Sequence, residues 1–151
     1  MTLRIELDRR FDVPLRYGFD YITDLRNWAE YWPGRIGLVA GSRWREPGDR
    51  ARLSMRLLGR AVELEMTLAR LEPYRLVEYT SVQRGLPDAR HERHFSDAGD
   101  GFHFRLLVEL EQRSGVRGAC DRMLVAPATA RAMRRTLRNL DRRFGSIGTS
   151  Q

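Results

Sequence analysis

The stretch VRGACDRMLVAPATARAMRRTLRNLDRRF, residues 116–144, decides how the chain is read. Met123, Ala126, Ala130, Met133, Leu137, Leu140 and Phe144 recur at steps of three and four, which places them on one stripe of an α-helix. Arg131, Arg135, Arg138 and Arg142 form a second stripe that faces water. The hundred or so residues before this helix read mostly as strands, so its apolar stripe is expected to bury against a sheet. Burying one side chain of this size contributes roughly 1.5–3 kcal/mol, so the stripe as a whole is a large term.

Working back from the helix, alternation of apolar and polar residues defines the strands. Leu3, Ile5, Leu7, Phe11 and Val13 alternate with Arg4, Glu6, Asp8, Arg10 and Asp12, and Arg9 is a charge in the inward phase, expected beyond the covered part of the sheet. Pro14 suits the first position of a helix carrying Leu15, Phe19 and Ile22. Asp24 is placed to cap a second short helix, Leu25 to Tyr31, which Pro33-Gly34 ends. A meander follows: Ile36–Trp44, Ala51–Leu57, Val62–Leu68, Arg75–Gln83, Arg90–Ser96 and Phe102–Leu110, joined by turns such as Pro47-Gly48-Asp49, Gly59-Arg60 and Gly99-Asp100-Gly101. Short connections favour antiparallel pairing. The expectation is an α+β fold: one domain over residues 1–151, with a curved antiparallel sheet of about seven strands wrapped on a long C-terminal helix and two short helices after the first strand.

Composition narrows the chemistry. All 27 basic residues are arginine, so no lysine Schiff base can form. Cys120 is the only cysteine, which excludes intrachain disulfides and Cys-rich zinc sites, and it reads as a small buried residue. No apolar run approaches the roughly 18 residues that span a bilayer, and no signal peptide opens the chain, so a cytoplasmic location is expected. The net charge of +7 suits an acidic partner, with Arg131, Arg135, Arg138 and Arg142 as the contact. The same arginines also read as a solvated outer face.

Several local motifs carry a resemblance. Val13-Pro14, then Phe19-Asp20-Tyr21-Ile22-Thr23-Asp24, then Asn27-Trp28-Ala29-Glu30-Tyr31-Trp32-Pro33-Gly34, with the Gly-Asp-Gly turn at 99–101 and Pro127 within the terminal helix, resemble the START-like helix-grip (SRPBCC) superfamily. The branch resembled is its bacterial polyketide cyclase/dehydrase and lipid-transport group. The resemblance covers nearly the whole chain and implies a cavity between sheet and helix for a hydrophobic or amphipathic small molecule. Members share a cavity rather than one catalytic set.

The inward positions then supply candidates. Leu53, Met55, Leu64, Met66, Phe104 and Met133 would line the cavity, and Trp28 and Trp32 would border its mouth, although plain packing of these rings is an equal reading. Pro127 is expected to bend the helix and leave Met123 beside the mouth, where a flexible thioether adapts to a ligand. With Phe95 inward, His91 and Arg93 share its face. Val77, Tyr79 and Ser81 are inward on the neighbouring strand, with Leu76, Glu78 and Thr80 as the competing phase.

His91 is either a general acid or base near neutral pH or a hydrogen-bonded rim residue. His91 and His94, three apart on a strand, point to opposite faces and cannot chelate together, so no metal or cofactor site is marked. Two main function classes follow: a binder or carrier of a hydrophobic molecule, and a cyclase or dehydratase using His91, Tyr79 and Arg93 around a carbonyl. A third, an RNA- or membrane-contacting module, rests on the arginine stripe alone.

Overall fold

The computed structural model describes residues 2–57 and 59–148. Strand β1 (Leu3–Phe11) is followed by helix α1 (Leu15–Thr23), a 3-10 turn (Leu25–Asn27) and helix α2 (Trp28–Tyr31). The meander is β2 (Ile36–Ala40), β3 (Arg50–Leu57), β4 (Arg60–Glu72), β5 (Leu76–Gln83), β6 (Ala89–Ala98) and β7 (Gly101–Leu110). Leu58, in the expected hairpin before Gly59-Arg60, lies outside the described residues. The C-terminal segment is α3 (Gly115–Cys120), a π-helical turn (Asp121–Val125) and α4 (Ala126–Gly148).

The seven strands of the described residues form one antiparallel sheet in the order β1-β7-β6-β5-β4-β3-β2. The first strand thus pairs with the last, while the other neighbours are consecutive hairpins. Every inward row is set by this register: Ile5–Val108–His91–Tyr79–Leu68 is one, and Leu3–Leu110–Ala89–Ser81–Met66–Ala51 is the next. Arg9 is the inward charge of β1, and it reaches across to Asp141 of α4 rather than lying beyond the helix. The second strand is shorter than its sequence suggests. Gly41 takes a left-handed φ of 104°, and a Cβ there would lie 2.9 Å from that of Ala51, so pairing stops at Ala40.

Helix α1 sits directly on the sheet because Gly18 has no side chain: a Cβ there would come within 2.2 Å of the Phe102 ring. Asp24 accepts the Arg26 backbone N–H at 3.0 Å and is the expected cap, but the span expected as one helix from Leu25 to Tyr31 begins as the 3-10 turn and continues as α2. On α4, Met133, Leu137, Leu140 and Phe144 are buried in the core with Phe11, Phe102, Phe104 and Leu106. No described helix is long and apolar enough to cross a membrane.

The first turns of the C-terminal segment depart from the expectation. Here the Ala126 N–H reaches the Asp121 carbonyl, five residues back, just before Pro127 removes the next donor. Asp121 is fully buried and paired through both oxygens to Arg113, at 2.7 and 2.6 Å. This anchors the segment while its apolar residues turn outward. Met123 is 75% exposed and Cys120 is exposed, so Met123 borders no mouth and Cys120 is not a buried packing residue. The physical reason is that the wide turn and the Arg113–Asp121 clasp present Asp121, not Met123, to the interior.

Candidate functional site

Strands β5 and β6 place Val77, Tyr79 and Ser81 inward beside His91, Arg93 and Phe95, which is the first of the two phases open from sequence. Arg93 is 4% exposed and lies at the centre of a stack of rings. Its guanidinium carbon is 4.4 Å from the Trp28 ring centroid and 5.5 Å from that of Tyr79. Trp32 stacks on Trp28 at 5.6 Å, His91 on Tyr79 at 4.5 Å and Trp44 on Tyr79 at 5.8 Å. Arg93 Nη1 donates to the Tyr31 hydroxyl at 3.1 Å and Nη2 to the Tyr79 hydroxyl at 3.3 Å.

The partners are held in turn. Trp28 Nε1 and the Tyr31 hydroxyl both donate to the Ile22 carbonyl, at 3.0 and 3.1 Å. Asn139 of α4 donates to the Tyr31 carbonyl at 2.9 Å and ties α2 to the long helix. Three buried side-chain polar atoms have no partner among the described residues: Arg93 Nε, Trp44 Nε1 and Thr23 Oγ1. Arg93 is in no ion pair among those residues either.

The electrostatics follow from this burial. Burial pushes the Tyr31 phenol up to about 12 against the opposing pull of Arg93, and raises Tyr79 in the same way, so both stay protonated near neutrality. His91 touches solvent with part of its surface, yet its ring is crowded by protein and lies near the Arg93 charge. Burial first, then that charge, push it down to about 3. It is therefore neutral at physiological pH, and the expectation of an acid or base titrating near pH 7 is corrected. Ser81 Oγ and His91 Nε2 are 2.8 Å apart. His94 faces the other way and pairs with Glu92 at 2.8 Å. No cluster of potential metal ligands occurs among the described residues.

The apolar candidates divide into two groups. Leu53, Met66, Phe104 and Trp28 are at most 1% exposed, with Leu64 and Met133 only slightly more open, so they are packed against protein. Trp28 is thus inside the stack rather than at a mouth. Met55 is only half-buried, as are its inward neighbours Ile36, Leu38 and Val62 and, across the sheet, Ala89 and His91. One end of the concave face is therefore apolar and partly uncovered. Two open surface hollows, of about 580 Å³ beside Tyr17 and Tyr21 and about 240 Å³ beside Trp44, lie outside the sheet–α4 interface. Arg131, Arg135, Arg138 and Arg142 are all exposed.

Tyr31 and Trp44 are the members that the sequence reading did not place in this group. The signal for Tyr31 was present, because it lies three residues after Trp28 on the same helical face. Trp44 follows a broken strand, and nothing local reveals that it folds back onto Tyr79.

Comparison with known proteins agrees with the architecture. A START superfamily protein from Mycobacterium smegmatis superposes with a TM-score of 0.75 at 10% identity, over 95% of this chain and 98% of that one. Protein CV1439 from Chromobacterium violaceum gives 0.75 at 14% identity, over 93% and 96%. DynU16, described as a putative protein in the dynemicin biosynthetic locus, gives 0.63 at 14%, over 91% of this chain and 47% of that one. At these identities the likeness concerns the fold. Comparison with curated proteins found no sequence match. The family model described as polyketide cyclase / dehydrase and lipid transport matches residues 2–145, and the chain belongs to that family.

Proposed function

We propose that the chain binds a hydrophobic or amphipathic small molecule between its sheet and C-terminal helix. The observation that carries this reading is the uncovered end of the concave face, where Ile36, Leu38, Met55 and Val62 turn apolar side chains inward without full burial. Apolar surface left open inside a curved sheet, with a few polar groups at one side, is the composition of small-molecule sites. Leu53, Leu64, Met66, Phe104 and Met133 form the packed floor behind this opening, and Trp28, Trp32, Tyr79, His91 and Arg93 its polar flank. Family membership supports the same reading. Binding is favoured over acid–base catalysis by His91, because a base held near a pKa of 3 is a weak proton acceptor at neutral pH.

The test is binding of the neutral fluorophore N-phenyl-1-naphthylamine, with mass spectrometry of compounds that copurify. Saturable, blue-shifted fluorescence at one site per chain is expected, lost when Met55 and Val62 are both replaced by Glu. Absence of saturable binding, or binding indifferent to those two substitutions, overturns the proposal.

A further inference from the structure

Arg93 is a buried cation with no carboxylate partner among the described residues. A guanidinium stays charged in proteins and carries five N–H donors. Leaving such a charge in an apolar interior is strongly unfavourable unless it is paired. The Trp28 and Tyr79 faces and the two phenol oxygens offset part of that cost. They supply no anion, since burial keeps both phenols protonated.

What remains unmatched around this charge is on the donor side. Arg93 Nε and Trp44 Nε1 are buried donors without acceptors among the described residues. The Tyr79 hydroxyl accepts from Arg93, and its own proton has no acceptor among those residues. Three donors and one full positive charge gathered about a single ring call for an acceptor carrying negative charge. The charge available is one, so a monoanion balances it. A dianionic phosphate would leave a surplus negative charge in the same apolar surroundings.

Position along the strands fixes the rest of the ligand. Arg93 is one inward position further along the strand from the uncovered end than His91, which is partly exposed. From Tyr79 to Gln83, whose side chain reaches Met55, is four residues of strand, or about 13 Å. Ser81 and Met66 lie between.

We infer that Arg93, with Tyr79 and Trp44, receives the carboxylate of an amphipathic monocarboxylic acid whose apolar body extends past Ser81 and Met66 to the opening at Met55. This assignment rests on the binding function proposed above and adds its headgroup. Because Arg93 is covered by rings, and Ser81 and Met66 are themselves buried, the ligand enters only by displacing side chains, beginning with His91 or Trp32, the two members of the stack that touch solvent.

The experiment is displacement of N-phenyl-1-naphthylamine by decanoate and by decan-1-ol at pH 7.5, in the wild-type chain and in Arg93→Met. Decanoate is expected to compete at least tenfold better than decanol in the wild type. In Arg93→Met that preference, taken as the ratio of the two competition constants measured in the variant itself, should vanish. Equal competition by acid and alcohol in the wild type, or a preference that survives Arg93→Met, overturns the carboxylate assignment and leaves the binding function standing. Failure of the fluorophore itself to bind overturns both. If Arg93→Met does not fold, Tyr79→Phe takes its place: a preference for decanoate reduced severalfold supports the assignment, and an unchanged preference overturns it.

Discussion

The two ends of the interior use aromatic rings for opposite purposes. Near β1, β7 and α4 the rings are hydrocarbon: Phe11 lies 5.5 Å from Phe102 and 5.2 Å from Phe144, and Phe95 lies 5.0 Å from Phe104. Near β5, β6 and α2 they are Trp28, Tyr31, Trp44 and Tyr79, and they enclose a guanidinium. The first cluster gains free energy from buried area and edge-to-face packing. The second spends part of that gain on holding a charge and unmatched donors away from water. Polar groups that weaken a fold while presenting a fixed constellation are what a binding site requires.

The sharpest way to break this contrast is to remove one side chain from each end. Phe104 is fully buried, so Phe104→Ala should cost about 3–5 kcal/mol through lost transfer energy and a residual cavity. Arg93→Met replaces an unpaired buried charge by an apolar chain of similar length and should leave stability unchanged or raise it. Urea denaturation of both variants against the wild type decides the matter. If Arg93→Met loses as much stability as Phe104→Ala, the cation is a structural keystone and the contrast fails.

A smaller effect concerns His91. Its folded pKa is about 3, below the ordinary value of 6.5, so between those limits the unfolded chain binds the extra proton. Stability therefore rises with pH across that window, and the contribution is complete above about pH 6.5 and lost as the pH falls toward 3. In His91→Gln this dependence should disappear, so the melting temperatures of variant and wild type should converge on acidification relative to their gap at pH 7.5. By NMR, the His91 ring shifts should stay flat from pH 8 to pH 5. A titration midpoint near 6.5 would place His91 in water and remove it from the polar end.

Much of this division was legible before any coordinates. Alternation put His91 and Arg93 on the face of Phe95 and left Tyr79 on one of two open phases of its strand, and helical spacing picked out Met133, Leu137, Leu140 and Phe144, because side-chain direction follows from backbone period. The charge balance around Arg93 was not legible. A counter-ion is supplied by tertiary neighbours, and only the assembled sheet shows that Tyr31 and Tyr79 stand where a carboxylate is usual. Met123 marks a different limit. An apolar stripe states which residues share a face, but whether that face meets the sheet depends on the π turn and on the Arg113–Asp121 clasp.

That outward face provides the least perturbing test of where the core ends. Val116 is 82% exposed, Met123 75% and Leu124 68%, whereas Leu137 and Leu140 on the same long segment are buried. A side chain already in water has little transfer energy left to lose, so Leu124→Gln should change stability by less than about 0.5 kcal/mol. Leu137→Ala should cost roughly 2–5 kcal/mol in the same assay, since its surroundings are closed. The comparison is made by denaturant midpoints at matched slopes, because a changed slope would signal altered compactness instead. A Leu124→Gln loss above about 1 kcal/mol would mean that this side chain is covered in solution and that the core extends to the first turns of the segment.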